Sequence, residues 1–266
     1  MKKLMKFIGL GIGLSIIIAL IMARGTFMGI QRGVQNAFYD INSATDEIVI
    51  VTIDEKSLSA KELGPLQKWE RTNYAKAIDI LNSKGAAVIG VDVTFPDKSI
   101  HGDKDDQHFA DVLRNNKNVV LATHYYFEKG KRIAELPNES LLSADPKMGW
   151  INVNLDDDGF VRKLPLFTSV DNKITEAFSL EIARRYLRDF PLDYEIENKE
   201  FKFSEQIKIP TITLTSSDGE QNHFMYINYF ASPGGFTQVS MSDLLKENFV
   251  SKNGDIINFK DKVVLV

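Results

Sequence analysis

Two aspartates, Asp54 and Asp92, each follow a β-branched run, which puts both at the carboxyl ends of predicted parallel strands. Open α/β sheets bind ligands in the crevice outside those ends. Asp54, Glu55, Ser57, Arg71 and Asp92 are therefore the candidates to line one pocket, for a cation through the carboxylates or for a polar small molecule. The same aspartates equally serve as loop caps that accept backbone N–H bonds. A denser set, His101, Asp103, Asp105, Asp106 and His108, carries the donor types of a divalent-metal site, with His101, Asp103 and Asp106 foremost. It flanks Gly102 in a polar stretch, so a solvated loop with Asp105 or Asp106 capping a helix is the competing reading. No metal or cofactor is assigned on this basis.

Asn154-x-Asp156-x-Asp158-Gly159 has the ligand spacing of the first half of a calcium loop. Its twelfth position is Pro165 rather than a bidentate Glu, so a turn is expected, with Arg162 pairing to the carboxylates. His124 and His223 stand alone in apolar strands, and Tyr125-Tyr126-Phe127 follows a strand; core packing is the expectation for both sets. No G-x-S-x-G elbow, phosphate loop, H-E-x-x-H or kinase signature occurs. With Cys 0, thiolate chemistry is excluded. No catalysis is expected within residues 1–266.

The elements that must position these residues alternate. Glu47–Ile53 reads as a strand buried on both faces. Thr72 is the expected N-cap of a helix with Tyr74, Ala77, Ile78 and Leu81 on one stripe, closed by Gly85. Ala86–Val93 is a second strand, a helix carries Phe109, Val112 and Leu113, and Asn118–Thr123 is a third strand. Strand–helix–strand spacing of this kind predicts an α/β fold, a mainly parallel sheet built from βαβ units. Trp150–Leu155 and Phe160–Thr168 are expected to form a β-hairpin around Asp156–Gly159. Ala177–Asp189 reads as a helix with Phe178, Ile182 and Tyr186 inward and Arg184, Arg185 and Arg188 toward solvent. Strands at Pro210–Leu214 and Phe224–Tyr229 and a short helix at Ser240–Phe249 follow. Lys262–Val266 reads as a strand entering a core, which implies a sequence cut short after it.

Ahead of this body lies an uncharged run, Phe7–Ala23, extended past Arg24 by Thr26–Ile30. As a helix the run covers about 25 Å, short of the ~30 Å of a hydrocarbon core, and an uncleaved anchor is expected over a cleaved signal peptide or a buried core helix. Lys2, Lys3 and Lys6 precede it, so the amino terminus is expected inside and the rest outside the cytoplasm. The resulting division is a cytoplasmic tip and transmembrane helix at 1–30, a neck at 31–46 and an extracytoplasmic domain at 47–266. Gly9-x-Gly11-x-Gly13 is a small-residue stripe that suits packing on a second copy. The net charge of −4 argues against nucleic acid as a partner.

An ordered series of short motifs carries a family resemblance. Ile53-Asp54-Glu55-x-Ser57-Leu58, Gly64-Pro65 before Trp69-x-Arg71, and Ile89-Gly90-x-Asp92-Val93-x-Phe95 come first. Gly149-x-x-Asn152, Asp158-Gly159-x-x-Arg162, Ile227-Asn228-Tyr229, Ser240 with Asp243-Leu244-Leu245, and Phe259-x-Asp261-Lys262-Val263 continue it. From about residue 30 the chain resembles the second subtype of CHASE domain, the cyclase- and histidine-kinase-associated sensory extracellular domain. The resemblance implies an amino-terminal membrane helix, an extracytoplasmic sensor and a cytoplasmic output module, a nucleotide cyclase, protein kinase or diguanylate cyclase, outside this sequence. It also implies a homodimer in the cell membrane that detects a small molecule or an envelope condition. A metal-assisted exported hydrolase using Asp54, Asp92 and the His101–His108 loop, and a non-catalytic envelope scaffold, are the alternatives.

Overall fold

The computed structural model describes residues 44–61, 63–170, 173–188, 196–197, 200–202, 208–215, 221–229 and 231–266, with the isolated positions 12, 15, 16 and 19. The chain divides into two compact units, Met1–Ser43 with Asn228–Ser232, and Ala44–Ile227 with Pro233–Val266. In the first, Ile12, Ser15, Ile16 and Ala19 are helical. The rest of the expected span Phe7–Ala23 lies outside the described residues, as does most of the neck. Among the described residues no helix is long and apolar enough to cross a membrane.

The second unit runs β1 (Ile48–Thr52), α1 (Glu55–Ser59), α2 (Arg71–Ser83), β2 (Val88–Val91), α3 (Asp103–Asn115), β3 (Val119–Glu128), β4 (Lys131–Glu135), α4 (Glu139–Leu142) and β5 (Lys147–Trp150). Then come β6 (Lys163–Val170), β7 (Lys173–Glu176), α5 (Phe178–Leu187), β8 (Ile196–Glu197), β9 (Glu200–Lys202), β10 (Lys208–Pro210), β11 (Ile212–Thr215), β12 (Gln221–Tyr226), β13 (Thr237–Ser240), α6 (Met241–Leu244) and β14 (Val263–Leu265). The main sheet has the order β13-β1-β14-β2-β3, with every one of these pairs parallel. β3 is long enough for two jobs. Its first half pairs parallel with β5, and its second half carries β4 antiparallel. The α/β expectation with a mainly parallel sheet thus holds. β1 and β2, however, are separated by β14 rather than adjacent.

Both faces of the sheet are covered, which is why its strands read as continuous apolar runs rather than alternating ones. On one face Val49, Val51, Ile89, Val91 and Leu121 meet Tyr74, Ile78 and Leu81 of α2 and Phe109 and Leu113 of α3. On the other, Val88, Val120 and Ala122 meet Phe178 and Ile182 of α5. α5 comes so close that an added Cβ would collide with it at two sheet positions. A Cβ on Gly149 would stand 2.4 Å from the Phe178 Cα, and one on Gly90 would stand 2.5 Å from the Ile182 Cδ1. α2 ends as its sequence predicts, with Gly85 at φ +82° and its amide on the Asn82 carbonyl at 2.9 Å.

Several local expectations are corrected. The hairpin across Asp156–Gly159 does not form. The Ile151 amide continues the β3–β5 ladder onto Thr123, whereas Lys163 onward pairs with β12 and β7 in a separate antiparallel sheet ordered β11-β12-β6-β7. The turn itself is real, and the 3%-exposed Arg162 locks it with bonds of 3.0 Å to Asp156 and 2.9 Å to Asp158, as its spacing predicts. α2 starts at Arg71, one residue before Thr72, and Glu70 supplies no side-chain cap. α3 starts at Asp103 behind Gly102, so Asp105 and Asp106 lie inside its first turn. The Pro210–Leu214 strand is split between β10 and β11, Phe224–Tyr229 shifts to Gln221–Tyr226, and α6 covers only Met241–Leu244. Tyr126 and Phe127 are exposed, His124 sits 3.2 Å from Glu135, and the His223 ring meets the Thr213 hydroxyl at 3.1 Å. Among the described residues none of these four belongs to a buried apolar cluster.

Candidate functional site

At the carboxyl edge of the sheet the predicted residues separate into three places. Asp54 ends the loop after β1 and caps α1. Its Oδ1 accepts the Ser57 amide (3.0 Å), the Ser57 hydroxyl (3.0 Å) and the Ser240 hydroxyl (2.8 Å). Ser57 is 0% exposed, its hydroxyl lies 2.9 Å from that of Ser240, and it accepts the Ser242 amide at 3.1 Å. Burial pushes the Asp54 carboxyl up, but the Ser240 and Ser57 hydrogen bonds outweigh it and hold the pKa below the ordinary carboxylate value. The group thus ties α1 to β13 and α6, with its acceptor capacity spent on its own chain. The 310 Å³ cleft it borders is crossed by the Lys56–Asp243 ion pair at 2.6 Å. Glu55 is exposed on the first turn of α1, without a partner among the described residues.

Asp92 lies across β14 from this cluster, two strand spacings or about 10 Å away along the sheet. Its amide donates to the Val266 carbonyl at 2.8 Å, while its carboxylate has no partner among the described residues and is pushed up by burial. The cleft that Asp54 borders is not lined by Asp92. The metal candidates diverge as well. The His101 Nε2 meets the Lys68 carbonyl at 2.8 Å, Asp103 faces Lys98 at 3.3 Å, and Asp106 is buried. Among the described residues no group of three or more metal-ligating side chains is assembled.

Arg71 is the hub of the third place. Asp105, from α3, accepts the amides of Arg71 (2.7 Å) and Thr72 (2.9 Å) and the hydroxyls of Thr72 (2.8 Å) and Ser99 (2.5 Å). It therefore caps the neighbouring helix, the task its sequence assigned to Thr72. Burial raises its carboxyl, and the bonds from Ser99, Arg71 and Thr72 bring it below the ordinary value. Asp106, 0% exposed, accepts the Ser99 amide at 2.8 Å and the Asn138 Nδ2 at 3.1 Å, and lies 3.6 Å from the Arg71 Nε. The Arg71 guanidinium rests 4.7 Å from the Phe95 ring centre and donates to the Asp97 carbonyl at 3.1 Å.

These bonds hold open a 410 Å³ cavity beyond the end of β2, walled by Leu66, Trp69, Arg71, Tyr74, Val93 and Ile100. Its size falls in the range of small-molecule sites, about 300–1,000 Å³, and its walls are mostly apolar. Trp69 is fixed by its indole N–H on the Gly64 carbonyl at 2.7 Å. Tyr74 packs edge-on against Phe95 at 5.1 Å. It is 2% exposed, and its hydroxyl has no hydrogen-bond partner among the described residues. Buried tyrosine hydroxyls ordinarily find a partner. Burial raises this phenol to about 12, so it stays protonated as a donor.

A family model, CHASE2 domain, matches residues 14–266. The chain belongs to the CHASE2 domain family. CHASE2 is an extracellular, sensory and non-catalytic domain family of signalling receptors. Comparison with curated proteins and with solved structures gives no match. Several motif residues that carry the CHASE2 resemblance turn out to be structural: Gly90 and Gly149 admit α5, Asp54, Ser57 and Ser240 weld one end of the sheet, and Asn152 holds the Tyr125 backbone with bonds of 2.9 and 2.8 Å. The sequence located Arg71 but missed its cavity partners. Tyr74 read as one more apolar helix position, although a hydroxyl among Ala, Ile and Leu was the available signal.

Proposed function

We propose that this CHASE2 chain is the ligand-detecting part of a membrane-anchored receptor, and that the cavity bounded by Trp69, Arg71 and Tyr74 receives the signal. The observation that carries the reading is the Tyr74 hydroxyl, without a partner among the described residues, on a buried residue that lines an aromatic-walled space. Arg71 lies beside Asp106 and donates to the Asp97 carbonyl, and among the cavity's polar lining the Tyr74 hydroxyl is a neutral donor set between apolar and aromatic walls. That chemistry suits an uncharged, largely apolar small molecule with one acceptor group. Occupancy would draw α2 and the loop after β2 together around the ligand, and signalling requires that one arrangement bind it better than the other. Phe7–Ala23 anchors the chain with its body outside the cytoplasm, two copies pair through the glycine stripe, and an output module lies beyond this sequence.

Two measurements test this. A fluorinated aryl ketone added to the full chain in detergent should show a broadened fluorine NMR signal that sharpens again with Trp69→Ala; equal broadening by both proteins counts against the cavity. A phosphatase reporter fused after Val266, active only outside the cytoplasm, should be active. A reporter reachable only from the cytosol ends the receptor reading, and a monomeric mass in detergent ends the paired one.

A further inference from the structure

The opposite edge of the main sheet, where the strands begin, carries a second and differently charged feature. A 460 Å³ cleft opens there between the start of β2 at Ala87, the Lys117–Asn118 turn before β3 and the last turn and cap of α5, and it is lined by Arg184, Arg185 and Arg188. Four cations from two separate segments face it, in a chain whose net charge is −4. The acids beneath them are Glu181, buried, and Glu176, also buried. Glu181 receives the Nε of Arg184 at 3.1 Å and of Arg185 at 2.8 Å, and Glu176 lies 3.2 Å from the Arg184 Nε. Arg185 also donates through Nη1 to the Lys117 carbonyl at 2.8 Å, which joins the two walls and leaves its Nη2 without a partner among the described residues. Lys117 and Arg188 have no acidic partner among the described residues either.

Basic residues in a last helical turn complement the helix dipole, a gain of about 0.3–1 kcal/mol each. That accounts for Arg184 and Arg185. It does not account for Lys117, which approaches from another segment, nor for guanidinium groups braced by buried glutamates. Four cations and no acid line this open cleft, with the small Ala87 beside them. Guanidinium forks and an ammonium at divergent angles match the several oxygens of a tetrahedral phosphate better than the two of a carboxylate. We propose that this cleft binds a phosphate-bearing anion, through Lys117, Arg185 and Arg188. The edge it occupies is also the one at which the chain enters β1: the Glu47 carbonyl accepts the Val263 amide at 2.9 Å, and the Tyr186 phenol, raised by burial and then by Glu47, Asp261 and Asp46, lies beside it. Free phosphate and the headgroup of a membrane phospholipid share the required chemistry.

Acylation of the Lys117 amine, read by mass spectrometry on the full chain, tests the site and tells the two sources apart. With the chain in neutral detergent, inorganic phosphate at about ten times its dissociation constant should slow acylation about tenfold, while chloride at equal ionic strength does not. With the chain in nanodiscs, protection that appears with phosphatidylglycerol and not with phosphatidylcholine assigns the headgroup as the occupant. Arg188→Glu, an exposed change, should abolish whichever protection is seen. Protection matched by chloride, protection unaltered in Arg188→Glu, or none from either phosphate or phosphatidylglycerol overturns the proposal.

Discussion

Replacing Tyr74 by Phe separates a ligand-binding role from a structural one because the two predict opposite signs. The hydroxyl has no protein partner among the described residues, so the substitution breaks no internal hydrogen bond. Removing a polar group that lacks a protein partner and is nearly buried relieves part of a desolvation cost of about 1–3 kcal/mol, the more accessible the hydroxyl the smaller the part. Urea unfolding of Tyr74→Phe should therefore show a stability between unchanged and about 1 kcal/mol higher. Packing against Phe95, at 5.1 Å and near-perpendicular, stays in place because the ring is retained. A ligand that accepts from the hydroxyl loses one neutral bond, about 0.5–1.5 kcal/mol, so the aryl ketone should bind about two- to twelvefold more weakly. A loss of 1 kcal/mol or more in stability with binding unchanged would refute the reasoning, because the hydroxyl would then be a structural donor.

Four other outcomes follow from the geometry. Asp105→Ala strips four bonds from the start of α2 and the Ser99 loop, and should lower unfolding free energy by about 2–4 kcal/mol, with Asp105→Asn intermediate. Gly149→Ala forces a Cβ against backbone, so it should cost about 3 kcal/mol or more by urea melts; Gly90→Ala meets the tip of Ile182 and should cost less, about 1 kcal/mol. Asp54 and Asp105 have folded pKa values below the unfolded value of about 3.8, so the unfolded state binds more protons in acid. Their stabilisation is complete above that value and is lost as the pH falls below it, and the slope of stability against pH should flatten there in Asp105→Asn. Asp92 is raised and acts in the other direction, so Asp92→Asn should raise stability modestly at neutral pH, measured by thermal melts.

What the sequence made legible, and what it hid, divides along physical lines. The buried runs of β1, β2 and β3 and the stripe of α2 are properties of contiguous residues, and they emerged with bounds within a few positions. Arg162 was legible for the same reason, since its partners lie four and six residues away. The cap of α2 was not. Asp105 reaches Thr72 from 33 positions downstream, and no local pattern encodes a helix start supplied by another helix. The spacing between Asp54 and Asp92 was hidden for a related reason: the local pattern marked both strand ends but not the insertion of β14, which is specified by pairing across most of the chain. The basic cleft was likewise invisible, because Arg184 and Arg185 looked like an ordinary solvated helix face until Lys117 arrived opposite them.

The position of β14 has a further consequence for how such a chain is made. β1 and β2 emerge early, yet the neighbour they share is synthesised some 170 residues after β2. Until it arrives, two half-sheets present bare amide rows and greasy flanks to whatever surrounds them, the state most prone to mispairing. Closure over so long a span is slow, since distant segments must meet before either gains from the contact. Biogenesis of this domain is thus a race between the delivery of one short strand and the coalescence of unfinished edges.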